Sequence, residues 1–141
     1  MEYKFFEHTA DTIFEGYGKS YEEAFASAAL AMQEVMTDTS RVEAKQEEKI
    51  EAEARDMKAL LYDFLEKFLI LKDAKNLVFS KFEVKRIDKT DRGYRLEAKA
   101  WGEEFNPEKH EDKSHVKAVT YHEMEIGEKE GKKYVRVLVD I

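Results

Sequence analysis

The sequence predicts an α+β fold: mostly antiparallel β-sheets with two covering helices, in one compact domain spanning residues 1–141. Three observations predict it. Segments with period-two alternation outnumber segments with helical spacing. Short polar turns join many of the strands, so hairpins outnumber crossovers. And 141 residues, 43% of them hydrophobic, supply one core and hardly two.

The elements follow in order. Glu2–His8 reads as a strand, Thr9–Asp11 as a polar connection, and Thr12–Gly18 as a second strand. Ser20 with Glu23 three residues later forms a capping box. Phe25, Ala28, Met32 and Val35 then recur at helical spacing, so Ser20–Met36 is a helix, stopped by Thr37–Ser40. Arg41–Ala54 is ambiguous. Its Glu, Lys and Ala favour helix, but Val42 and Ile50 share one parity, and it is read as a strand. Asp56 caps Met57–Lys72, where Leu60, Leu61, Phe64, Leu65, Phe68 and Leu69 make a wide apolar stripe and a central core helix. Leu77–Asp88 and Tyr94–Gly102 form a hairpin about the turn Lys89–Gly93. Glu103–Ser114, with the chain's one Pro, reads as a charged loop. His115–Ile126 and Tyr134–Ile141 close the chain as a second hairpin.

Composition narrows the function. Lys and Arg number 24 against 31 Asp and Glu, a net charge of −7, which opposes autonomous nucleic-acid binding. No Cys is present, so a disulfide scaffold, a Cys-ligated zinc site and a thiol nucleophile are excluded. The longest mostly apolar run, Ala59–Leu71, is too short for a bilayer and is broken by Asp63, Glu66 and Lys67. No signal peptide is expected at the start, and the expected setting is the cytoplasm. Charged residues are 39% of the chain, with Asn only at 76 and 106 and Gln only at 33 and 46. That is a hyperthermophile pattern.

Chemistry has three candidate places. Val135, Val137, Val139 and Ile141 share one parity, which puts Ile141 on the core face. Asp140 then points the other way, with Tyr134, Arg136 and Leu138. A packed Ile141 holds the terminal carboxylate beside that of Asp140. Two carboxylates about 4 Å apart repel by roughly 4 kcal/mol at an effective dielectric of about 20. A proton, an Arg or Lys, or a hard cation must offset that, and all-oxygen sites favour Ca²⁺ or Mg²⁺. The other reading is a frayed tail with a solvated Asp. His8-Thr9-Ala10-Asp11 offers an imidazole, a hydroxyl and a carboxylate within four residues. It can bind a metal or make an Asx or ST turn between strands. His122 shares parity with Val116, Ala118, Met124 and Ile126, as a satisfied core histidine or as a ligand beside a carboxylate. His110 and His115 lie in or beside the charged loop and are expected to be exposed. A Gly-rich phosphate loop, a G-x-S-x-G elbow and an H-E-x-x-H pair are all absent from the sequence, so nucleophilic catalysis has no candidate.

Taken together, these segments resemble the archease family. The carriers are HTAD at 8–11, YGKSYEEAFASAA at 17–29, ARDMKALLYDFLEKFLIL at 54–71, NPEKH at 106–110, KAVTYH at 117–122 and the closing VLVDI at 137–141. They span essentially the whole chain, and their order and spacing make the combination specific. One departure is Thr12-Ile13 after HTAD, where the family often continues with Ile and Gly. The resemblance implies a non-enzymatic protein cofactor of an RtcB-type RNA ligase in tRNA splicing and RNA repair. That ligase uses GTP and divalent metal to guanylylate its own His. The accessory protein promotes this step, sustains multiple turnover and relaxes nucleotide choice. The resemblance also implies a site for a divalent cation (Ca²⁺, Mg²⁺ or Mn²⁺) made of Asp11, Asp140 and the terminal carboxylate of Ile141. His8, His110, Lys117 and His122 are then second-layer or partner-facing candidates, GTP is bound by the ligase, and neither direct RNA contact nor a membrane is expected. A general chaperone for nucleic-acid-processing proteins and a metal-dependent hydrolase using Asp11, Asp140 and His122 are the alternatives.

Overall fold

The computed structural model describes residues 1–6 and 11–141. The elements are β1 (Glu2–Phe6), β2 (Asp11–Gly18), α1 (Tyr21–Met36), a 3₁₀ turn (Thr39–Arg41), β3 (Gln46–Ala54), α2 (Met57–Lys75), β4 (Leu77–Thr90), β5 (Gly93–Glu104), β6 (Ala118–Lys129) and β7 (Lys132–Asp140). They build two antiparallel sheets, one of order β1-β2-β7-β6 and one of order β3-β5-β4. The α+β expectation with two helices holds. The end of the first expected strand, at residues 7 and 8, and the connection at 9 and 10 lie outside the described residues.

Both helices start where their caps predict. Ser20 Oγ accepts the Glu23 amide at 3.2 Å, although Glu23 reaches back to the amide of Lys19 rather than of Ser20. Asp56 Oδ1 accepts the Ala59 amide at 2.8 Å. Both helices bridge the two sheets, α2 packing against β6 of one and against β3, β4 and β5 of the other. Helix α1 packs against β1, β2 and β7 of one sheet and against β4 of the other, and it is buried almost all round. Its small residues make this geometry work. A Cβ on Gly16 of β2 would stand 2.6 Å from Ala24 O and 2.6 Å from Ala28 N, so strand and helix backbones are nearly in contact. Helix α2 lays Leu60, Leu61, Phe64, Leu65 and Phe68 inward and leaves Ile70 exposed. It continues one turn past Lys72 and ends on Asn76, whose left-handed φ of 56° lets its amide reach Leu71 O and Lys72 O.

Strand β3 begins at Gln46 rather than Arg41, because Asp38 caps a 3₁₀ turn over Thr39–Arg41. Ile50 and Ala52 point inward as their parity predicts. The strand forms one edge of its sheet, and its charged outward side chains suit an edge. Both hairpins are tighter than the sequence suggests. β4 and β5 pair up to Thr90↔Gly93. β6 and β7 pair up to Lys129↔Lys132, turning on Glu130 and Gly131 at φ 50° and 77°, which is the primed-turn conformation that suits strand twist. The segment between β5 and β6 is stitched down: Lys113 and Ser114 donate their amides to Met36 O and Val35 O and so close the end of α1. Among the described residues no helix is long and apolar enough to cross a membrane.

Candidate functional site

Strand β2 begins at Asp11 and β7 ends at Asp140, and the two residues are directly opposed in the antiparallel ladder. Directly opposed residues project to the same sheet face. Alternation puts Asp11 with Ile13, Glu15 and Tyr17, and Asp140 with Tyr134, Arg136 and Leu138. This is the face turned away from α1. On the other side of Asp140 the opposed residue is Ala118. The backbone of the last strand is anchored there, because the Lys117 amide donates to Asp140 O at 2.8 Å. Asp140 is exposed and Asp11 half-buried. In the next row of the same face Ile13 and Leu138, themselves opposed, are each 2% exposed.

The expectation of a packed Ile141 is corrected. It lies one residue beyond β7 and is 39% exposed, because strand pairing, which carries Val139 into the core, stops at Asp140. The terminal carboxylate is tethered through Asp140 rather than through an apolar anchor of its own.

Two further expectations are corrected. His122 is exposed, since the ladder between β6 and β7 breaks between Thr120 and Glu125 and the parity argument does not survive the break. His110 is buried, at 3% exposure. Its Nδ1 accepts the Asn106 amide at 2.9 Å, and its Nε2 lies 3.0 Å from Glu103 Oε2, so Nε2 carries the proton. Glu103 also takes Lys109 Nζ and the Glu43 amide, each at 2.7 Å. Burial alone would raise the Glu103 pKa, but Lys109, the Glu43 amide and His110 outweigh it and bring it down to about 2. That network closes a loop away from the Asp11–Asp140 pair. The Lys117 side chain and His115 are exposed, and His8 lies outside the described residues.

The same sheet face holds a second charged row that sequence reasoning left out. Lys4 opposes Glu15, Glu15 opposes Arg136, and Arg136 opposes Glu125. Glu15 is 2% exposed. Its carboxylate takes Tyr17 OH at 2.7 Å, Arg136 Nη1 at 2.8 Å and Lys129 Nζ at 3.3 Å. Burial pushes its pKa up, and these three donors more than reverse that, leaving it below the ordinary carboxylate value. Tyr134 donates to Glu125 at 2.7 Å, and that bond together with burial pushes its phenol up to about 12. The available signal was the alternation itself, which put Arg136 on the Asp140 face and so asked for a buried acid opposite it.

The donor set at the tip is chemically hard. Among the described residues no three His, Asp or Glu side chains gather into a metal-ligating group. The oxygens available at this end of the sheet, those of Asp11, Asp140 and the chain end, are hard donors of the kind that suit Ca²⁺ or Mg²⁺ rather than a soft metal.

Known proteins resemble this chain along nearly its whole length. Residues 3–141 match the model of the archease protein family (MTH1598/TM1083). The chain is 51% identical over 121 residues to protein archease of Pyrococcus abyssi, covering 86% of this chain and 84% of that protein. It is similar to the solution structure of Methanobacterium thermoautotrophicum protein 1598, with 47% identity, a TM-score of 0.86, and coverage of 99% of this chain and 98% of that one. A crystal structure from Thermotoga maritima, described as an archease and possible chaperone, shares the fold at 22% identity and a TM-score of 0.62, covering 98% and 96% of the two chains.

Proposed function

Because the chain belongs to the archease family, we propose that it is an accessory protein that activates an RtcB-type RNA ligase in tRNA splicing and RNA repair, promoting GTP-dependent guanylylation and multiple turnover of its partner. The observation that supports this most is the opposition of Asp11 and Asp140. Two carboxylates directly across a ladder gather hard oxygen donors at one end of the sheet, which is the chemistry a divalent cation needs. The Lys117 amide bond to Asp140 O holds the end of β7 in register.

Asp11, Asp140 and the Ile141 terminal carboxylate are the groups that would hold a divalent cation. Such an ion supplies positive charge that offsets the carboxylates at the ligase's metal-dependent site. The net charge of −7 steers the tip toward a basic cleft. GTP stays with the ligase.

The test is a guanylylation assay of the ligase with Asp11→Ala and Asp140→Ala. Both variants are expected to fold and to lose most of the stimulation. A short C-terminal extension, which moves the terminal carboxylate, is expected to weaken Ca²⁺ binding measured by calorimetry. Full stimulation by both folded Asp variants would refute the acidic-tip reading. Protection of several unrelated clients, with no effect on the ligase, would favour the general chaperone reading instead.

A further inference from the structure

Strand β7 ends between two unequal neighbours. On one side β2 pairs with it without a break from Gly18↔Lys133 to Asp11↔Asp140. On the other side β6 pairs in two separate stretches. Five pairs, Glu125↔Arg136 to Lys129↔Lys132, make the hairpin, and three pairs, Thr120↔Leu138, Val119↔Val139 and Ala118↔Asp140, lie at the chain end. Four residues, 121–124, stand against Val137 between them. The chain accommodates them by taking Glu123 into the left-handed region at φ 55°, which is uncommon for a residue other than Gly. Tyr121 leaves the ladder and stacks on Tyr62 of α2, at 4.7 Å between ring centroids. Met124 turns into the core at 4% exposure. Bulges of this kind are frequent beside functional sites.

The last three pairs therefore do not continue the hairpin ladder, and both ends of this short stretch carry an added hydrogen bond. At the chain end the Lys117 amide donates to Asp140 O at 2.8 Å. At the bulge Thr120 Oγ1 donates to Leu138 O at 2.9 Å. Between them Val119 opposes Val139, and both are buried. Residues 117–120 thus lie along residues 138–140 as a splint. The splint has a use, because the last two residues of a chain are the ones that fray, and here they carry two of the three carboxylates at the tip. A carboxylate that must be ordered at the moment of binding loses affinity to that ordering.

We infer that Thr120 is a positioning residue for the acidic tip: its hydroxyl bond to Leu138 O closes the splint at the bulge and so holds Asp140 and the Ile141 carboxylate ready for a divalent cation. The inference rests on the functional reading above, in which Asp11, Asp140 and the chain end hold that cation. Thr120 acts through the backbone of β7 rather than as a ligand.

Calorimetric titration of the full chain with Ca²⁺ and with Mg²⁺, alongside amide hydrogen exchange of residues 138–141, tests this role. Thr120→Val keeps the branched shape and removes the donor. It is expected to weaken cation binding about threefold or more and to speed exchange at 138–141 by a similar factor, while exchange in β4 and β5 stays as in wild type. Thr120→Ser keeps the donor and is expected to bind within about twofold of wild type. Thr120→Ala takes the place of Thr120→Val if that variant does not fold. Wild-type cation affinity in the folded variant without the hydroxyl overturns the positioning role, even where exchange or stability changes, and leaves the tip reading standing. Equal loss in Thr120→Ser and Thr120→Val overturns the assignment to the hydroxyl. A wild-type chain that takes up neither Ca²⁺ nor Mg²⁺ overturns the tip reading, and the positioning role with it.

Discussion

Lys4, Glu15, Arg136 and Glu125 cross the four-stranded sheet as a row of alternating sign, whereas four residues along the same two central strands Asp11 faces Asp140 with like charge. The row between them, Phe6, Ile13, Leu138 and Thr120, is mainly apolar. One register thus makes both arrangements. In the first row a carboxylate is taken almost wholly out of water and held by three donors, one of them an Arg whose guanidinium also lies 4.8 Å over the Phe6 ring. In the second, the carboxylates stay near solvent at the strand ends, where hydration screens their repulsion. The contrast teaches that one register can pair opposite charges deep in the sheet and bring like charges together at its end.

Breaking the alternating row should have the largest effect. Arg136→Ala leaves Glu15 buried without its opposed cation, and removing one partner of a buried pair costs about 3 kcal/mol or more. Urea unfolding of this variant should show that loss, and a loss below about 1 kcal/mol would mean Lys129 and Tyr17 suffice.

Acidification sharpens the same comparison with a smaller effect. Glu15 has a folded pKa below its ordinary value of 4.5. The stability it contributes is complete above about 4.5 and is lost as pH falls through the lower folded value. Glu103 behaves likewise, with its loss extending down toward pH 2. Acid unfolding followed by circular dichroism should therefore steepen below pH 4.5, and Glu15→Gln should flatten that limb. An unchanged limb would contradict the role given to the row.

The smallest effect has the opposite sign. Asp140→Asn removes one of the two opposed like charges. In chelator it should raise stability by about 0.5 kcal/mol. In excess Ca²⁺ the wild type should gain stability by ligand linkage and overtake the variant. Thermal melts in both buffers check this, and a variant less stable than wild type in chelator would mean that the pair is not in net repulsion.

Local chemistry was legible in the sequence. Ser20 and Asp56 start the helices because a side-chain oxygen needs only the amide three residues on, and period-two alternation placed Asp140 on the face of Arg136. The opposite ends of the same elements were less legible. Asn76 extends α2 by a turn because a left-handed cap is available to it, which the Lys72 boundary overlooked. The charged neighbours of His110 predict exposure, yet those same charges bury it by pairing around Glu103.

By itself, then, the sequence determined the fold class, both helix starts, the inward parity of β3 and the residue types gathered near the chain end, since each depends on contacts a few residues apart. Only the tertiary structure decided that both helices bridge the two sheets, that Glu15 meets Arg136 and Asp11 meets Asp140, and that a bulge turns His122 outward and Tyr121 onto Tyr62. Those outcomes depend on the register between strands distant in sequence. A ladder shift of one residue would send every side chain to the other face, and no local pattern carries that information.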